Sequence, residues 1–295
     1  MRGLSIPPKK NFHPKGGHMR LRNSVLLGYL VILLLVGSTV QISANERANR
    51  LIAKLETGKP VIGVLAGAIA APRIAKVLGT SDLDFILADL EHEVHDFGML
   101  RQFVLGVNDF SRRYRVEESP APSVLVKLGH RAGWDARFEV AESLKVAPIV
   151  GVCVPFVESR ADLEKVISAV RHAETTALAG MNVAKKIREP WPLDPKGELF
   201  VIAMIESEEG VLHAQEIVET PGVGAIWAVH VPDEELARIL KMCKEKGIIA
   251  VIEANPEDVK AKVDSGYQMV LLGWDFQLLE KELRETVQKM RTVLK

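Results

Sequence analysis

Residues 199–230 read LFVIAMIESEEGVLHAQEIVETPGVGAIWAVH, and the fold turns on how this stretch is parsed. Leu199–Glu206 is an apolar run that ends on a carboxylate. Glu208–Glu219 then shifts to helical spacing, and Gly224–His230 is an apolar run again. The pattern describes a strand, a crossover helix and a second strand parallel to the first. Runs that are apolar at nearly every position imply strands buried on both faces.

The same unit recurs in both directions along the chain. Val61–Gly67, Asp84–Leu90, Ser123–Leu128 and Ile149–Phe156 precede it, and Gly247–Glu253 and Gln268–Trp274 follow, giving eight strands. Amphipathic stretches such as Arg160–His172, Pro232–Lys246 and Pro256–Ser265 separate them. Eight strand–helix units in about 250 residues predict an α/β fold of the (β/α)8 (TIM) barrel class. A helix over Glu46–Thr57 is expected to close the bottom of the barrel. Phe276–Leu294 reads as a long last helix, apolar at Leu278, Leu279, Leu283, Val287, Met290 and Val293. The alternative is an open doubly wound sheet. However, Gly63 and Gly67 in VIGVLAGAIA lack the GxGxxG spacing of a nucleotide loop, and they read instead as close-packing positions.

The N-terminus stands apart. Residues 1–18 form a polar, basic extension. From Met19, a second candidate start, Arg20 and Arg22 lead into an apolar stretch over residues 25–40. Residues 19–44 therefore read as a signal peptide or membrane anchor, and residues 45–295 as the barrel. The stretch falls short of the about 20 residues of a comfortable span. Ile42 is not the small residue preferred before a cut, so cleavage and anchoring both stay open. Either way the barrel is expected in an exported (periplasmic or secreted) compartment, touching a membrane only through residues 25–40.

Charge narrows the partners. Lys+Arg and Asp+Glu are both 38, and aromatics are 5% of the chain. With no basic excess and few stacking groups, nucleic acid is not an expected partner. Cys153 and Cys243 match no zinc or redox spacing and read as buried structural residues.

In such barrels the chemistry gathers where strands end. The second strand ends in Asp89-Leu90-Glu91-His92-Glu93, the third at Lys127, the fifth at Glu206, the sixth at His230, the seventh at Glu253 and the eighth at Trp274-Asp275. So many ionisable groups at one mouth are costly unless partnered. Each has a plainer reading. His92 could be a satisfied loop histidine. Glu206 could be a metal ligand, or paired to Lys127 or an arginine. Glu208 and Glu209 fit a helix's first turn. Asp233, following Pro232, could cap a helix. Glu93 and His95 read as solvated loop groups.

These segments resemble the HpcH/HpaI aldolase/citrate lyase family of class II, pyruvate-type aldolases. The likeness rests on GKPVIGVLAGAIAAPRIAKVLGTSDLDF, LDFILADLEHEVHDF, VCVPFVESRADLEKVISAVRH, LFVIAMIESEEGVLHAQEIVETPGVGAIWAV and GYQMVLLGWDFQLLEKEL, in family order. It implies a carbon–carbon lyase that cleaves a 4-hydroxy-2-oxo acid to pyruvate and an aldehyde, with a divalent cation (Mg²⁺ or Mn²⁺) as Lewis acid. It implies His92 as the proton-shuttling histidine and Glu206 as a metal ligand. Lys127 falls where the family has arginine, and it keeps the charge but not the planar fork. The family's second metal ligand falls one residue late, on Asp233, with His230 and Glu253 as possible substitutes. The family's glycine-rich pocket loop is replaced by AETTALAGMNVAKK, and the segment EPWPLDPKG is a candidate to stand in for part of it. The resemblance also implies a homo-oligomer assembled through terminal helices. Because three functional positions depart from the family, a barrel that binds a small carboxylic or sugar acid without cleaving it is the competing reading.

Overall fold

The computed structural model describes residues 47–295 except 93–94, 115–120, 133–135, 147 and 174–188. The signal or anchor stretch, Glu93 and most of AETTALAGMNVAKK lie outside the described residues. No helix among the described residues is long and apolar enough to cross a membrane.

Eight strands form one closed parallel barrel: β1 Val61–Ala66, β2 Phe85–Asp89, β3 Ser123–Lys127, β4 Ile149–Val154, β5 Leu199–Ile205, β6 Ala225–Ala228, β7 Ile249–Glu253 and β8 Met269–Trp274. Each pairs in parallel with the next; β4 joins β5 through Gly151↔Phe200, and β8 joins β1 through Val61↔Met269. The helices in order are α1 Arg50–Glu56, α2 Pro72–Gly79, α3 Phe97–Tyr114, α4 Arg137–Lys145, α5 Arg160–His172, α6 Glu208–Leu212, α7 Ala214–Val218, α8 Asp233–Lys246, α9 Val259–Ser265 and α10 Asp275–Val293.

Strand alternation divides the core in two. Phe200, Ile202 and Met204 of β5 point inward with Leu65, Phe85, Leu87, Leu125, Trp227 and Leu271. Leu199, Val201, Ala203 and Ile205 point outward to the helices. This is a packed interior, not a pore. Gly63 is the space into which Phe85 fits: a Cβ there would stand 2.5 Å from the Phe85 ring. A Cβ at Gly67 would stand 3.1 Å from Trp274 and Phe276, so both glycines serve close packing as read.

The bottom of the barrel, where strands begin, is closed by α1. Asn49 caps that helix, and its own N–H donates to Glu198, just before β5. Leu51, Ile52 and Leu55 are buried against the inner core.

Three expectations are corrected in detail. The helix expected over Glu208–Glu219 is two short ones, because the His213 backbone leaves helical geometry and its Nδ1 meets the Glu158 carbonyl at 2.8 Å. The helix expected from Pro256 begins at Val259, because Asn255 Oδ1 accepts from the Glu257 and Asp258 N–H groups and holds a turn there. The EPWPLDPKG segment does not line the mouth. Pro190–Trp191 pairs with Leu199–Phe200 at the start of β5, and Trp191 stacks on Phe200 and donates to Glu56 of α1. At ~3.3 Å per residue that is about 20 Å from the end of β5.

The outside of the barrel is incompletely covered. Ile62 of β1 and Leu272 of β8 face out and are 44% and 39% exposed. On α10, Leu279, Leu283, Val287 and Met290 recur at helical spacing, continued by Leu294 at the C-cap, and all are exposed.

Candidate active site

The mouth is built from strand ends, where parallel register brings successive termini side by side. Asp89 and Lys127 are paired directly across β2 and β3. Both are buried, so each must be satisfied by a neighbour. Asp89 accepts from the backbone N–H groups of Glu91 and His92 at 2.7 and 2.8 Å, which folds the chain back over the strand end. Its second oxygen stands 3.1 Å from His92 Nδ1. His92 thereby has one ring nitrogen engaged by a buried carboxylate and its edge against Trp274, with ring centroids 5.3 Å apart. With Nδ1 turned to Asp89, Nε2 becomes the nitrogen that can take a proton.

Lys127 sits under this arrangement. Its ammonium is 2.6 Å from Glu91, 3.5 Å from Asp89 and 3.4 Å from His92 Nδ1. Burial pulls its pKa down, but Asp89 and Glu91 outweigh burial and hold it above the ordinary lysine value. Asp89, Glu91 and His92 are close enough together to bracket a metal ion. The Lys127 ammonium already supplies the cation in that place.

Glu206 follows β5. Its Oε1 accepts the Phe156 N–H at 2.9 Å. Burial raises its pKa, against the lowering effects of the Phe156 N–H, Lys127 and His230. Glu253, at the end of β7, is likewise raised by burial and lowered by His230 and then Lys127. His230 therefore acts on both carboxylates. Asp233 is not among the groups that act most strongly on Glu206; it is exposed at the first position of α8, in the turn that helix dipoles favour for acids. Phe156 and His230 both hold positive φ, +49° and +56°. For non-glycine residues such backbone costs on the order of 1–3 kcal/mol and gathers at functional sites.

Several further groups shape the site. Glu91 is the closest partner of Lys127. Arg131 lies 3.8 Å over the Phe156 ring, whose N–H holds Glu206. The sequence marks Glu91 only as one of the ionisable groups ending the second strand, and nothing in the local pattern marks Arg131. Asp275 is buried and accepts from Gly67 and Ala68, tying β8 to the loop after β1. Cys153 is fully buried beneath the mouth, and burial pushes its thiol pKa well up, as expected of a structural cysteine. Cys243 is also buried, its pKa pushed up to about 12 by burial.

The arrangement can accept a proton at His92 and offer positive charge at Lys127, with the Glu206 carboxylate following β5 in the same mouth. Residues 64–281 match the family described as HpcH/HpaI aldolase/citrate lyase. A hydroxypyruvate/pyruvate aldolase of Delftia acidovorans is 24% identical over 260 residues, 79% of this chain and 89% of that protein. One from Paraburkholderia phytofirmans is 22% identical over 269 residues, 83% of this chain and 98% of that protein. The crystal structure of an HpcH/HpaI aldolase/citrate lyase family protein from Burkholderia cenocepacia superposes with a TM-score of 0.66 at 18% identity. It covers 83% of this chain and all of the other. That likeness shows the fold.

Proposed function

The chain belongs to the HpcH/HpaI aldolase/citrate lyase family, and from that premise we propose that this lyase-type enzyme is a metal-dependent aldolase that cleaves a 4-hydroxy-2-oxo acid to pyruvate and an aldehyde. The observation that carries the reading is the Asp89–His92 pair beside Lys127 at the mouth that also holds Glu206. His92 Nε2 takes the proton of the aldol hydroxyl, while Asp89 holds the ring and steadies the charge it gains. Lys127 offers its ammonium to the oxyanion that forms as the carbon–carbon bond breaks. For that it must share its charge with Glu91.

Glu206 has the chemistry of a hard-cation ligand: a buried carboxylate with a raised pKa gains from an ion that offsets its burial. His230, Glu253 and Asp233 are the candidates to complete the set, and His230 acts electrostatically on both Glu206 and Glu253. A Mg²⁺ or Mn²⁺ ion bound there would supply Lewis-acid stabilisation of developing negative charge.

Purified protein with Mn²⁺ or Mg²⁺ and 4-hydroxy-2-oxo acids is expected to release pyruvate, and Glu206→Gln to abolish the release. Pyruvate at background level in the wild type refutes the reading. The Lys127–Glu91 ion pair favours one competing reading, a barrel that binds a small acid without cleaving it. Thermal stabilisation by pyruvate or oxalate that does not require metal would support it.

Two further proposals concern context. The uncovered Ile62–Leu272 face and the exposed apolar stripe of α10 suit association with a second copy of the chain. Residues 19–44 are proposed to direct export or to anchor the barrel, which fractionation of expressing cells tests.

A further inference from the structure

Beside the mouth stands a second cluster that the aldolase reading does not use. His95 lies in the loop after β2, His130 in the loop after β3, and Glu139 in the first turn of α4. The His95 and Glu139 side chains meet at 3.0 Å (Nε2 to Oε1), and His130 Nδ1 stands 2.9 Å from Glu139 Oε2. His95 is exposed in its loop, as read from the sequence, and its ring is also engaged by Glu139 and lies 5.3 Å from the His130 ring and 5.4 Å from Phe97, centroid to centroid.

The cluster has the features of a built site. Glu139 is buried, and the Gly129 N–H donates to the same oxygen that faces His95, which fixes the carboxylate's orientation. Gly129 is required for that approach. A Cβ there would stand 2.8 Å from the Leu90 carbonyl oxygen, 2.9 Å from the His95 ring and 3.1 Å from Glu139 Oε1. The three potential ligand atoms lie within 4.8 Å of one another. Two imidazoles and a carboxylate around one ion at ~2.0–2.2 Å need ligand separations of about 3.3 Å, so small side-chain shifts suffice.

We propose that His95, His130 and Glu139 form a second metal site, for a Zn²⁺-class ion, separate from the hard-cation site around Glu206. Two nitrogens and one oxygen suit Zn²⁺ or Co²⁺, whereas Mg²⁺ and Ca²⁺ need oxygen ligands. Gly129 is the outer partner that orients the carboxylate. Both histidines reach solvent. The ion links the loop that carries His92 to the loop that follows Lys127, and so clasps two walls of the mouth.

The test uses the full chain, stripped with chelator and titrated with Co²⁺ alone, read by visible absorption and by metal content after desalting. Glu206→Gln protein is expected to keep one Co²⁺ with the intense visible bands of a low-coordinate, nitrogen-ligated ion. The double variant His95→Gln/His130→Gln is expected to lose that ion. Its affinity should fall by more than the roughly 10–100-fold that loss of an outer partner causes. Both histidines are partly exposed, so the double variant should stay folded, and circular dichroism checks this. Glu139→Gln should weaken the same site. Unchanged bands in the double-histidine variant, or no Co²⁺ bound by Glu206→Gln protein, overturns the proposal. Neither outcome depends on aldolase activity.

Discussion

Lys127→Met is the sharpest perturbation of the mouth, because it removes a buried cation and leaves two carboxylates behind. The Lys127 side chain is 4% exposed, Asp89 0% and Glu91 16%. At an effective dielectric near 20, Coulomb's law gives about 6 kcal/mol for a contact at 2.6 Å and about 5 kcal/mol at 3.5 Å. Desolvation of the ammonium offsets much of that gross attraction, and stripping one partner from a buried pair typically costs ~3–5 kcal/mol. The loss expected in Lys127→Met is of that size, measured by urea unfolding at pH 7. Adding Glu91→Gln should recover part of it, since one of the two stranded charges is then gone; the two changes must therefore be non-additive. A single variant within about 1 kcal/mol of the wild type, or strictly additive changes, would refute the view that this ion pair is buried and coupled.

Glu206→Gln carries a pH signature. Burial raises the Glu206 pKa above its unfolded value, so the stability it contributes is full at low pH and is lost as pH rises through the folded value. Without metal, the variant should match the wild type in acid and equal or exceed it at pH 7 by thermal melting; a metal-free variant that is weaker at pH 7 contradicts this. His92→Gln should lower kcat by roughly 10²–10⁴-fold while leaving the fold intact, as expected for loss of a proton-transfer group. A loss below tenfold removes His92 from the mechanism. Leu283→Glu, on the exposed apolar stripe of α10, should convert the proposed assembly to monomer, and light scattering after size exclusion reads this directly. An unchanged mass would assign that stripe to something other than self-association.

The fold was legible because its signal is repeated. The eight apolar runs marked as strands are the eight barrel strands, with ends differing by two residues or fewer. Most positions of each run are buried on both faces, so burial dominates its composition, Ile62 and Leu272 being exposed exceptions. Boundaries moved where a side chain competed with the backbone: His213 against the Glu158 carbonyl, and Asn255 holding its turn. The Trp191 segment was misplaced for a different reason. A Pro-rich loop shows that the chain turns, not which end of the barrel it turns at. That was fixed by its pairing with the first residues of β5.

The site was half legible for a related reason. Strand ends can be found in a sequence, so His92, Lys127, Glu206, His230 and Glu253 could be named as groups sharing one mouth. Which charge meets which depends on loop paths of a few residues, and no periodicity encodes these. Lys127 is one of the partners the sequence offers Glu206, beside a metal ion or an arginine, but it pairs with Glu91, two residues beyond the Asp89 it faces across the sheet. That pairing has a consequence for specificity. Where the family has an arginine with a planar fork, this chain has a point charge already shared with a carboxylate. A substrate oxyanion must compete with Glu91 for that ammonium. Lys127→Arg should therefore change KM more than kcat if the cation mainly binds the acid, and kcat more than KM if it mainly steadies charge formed during cleavage.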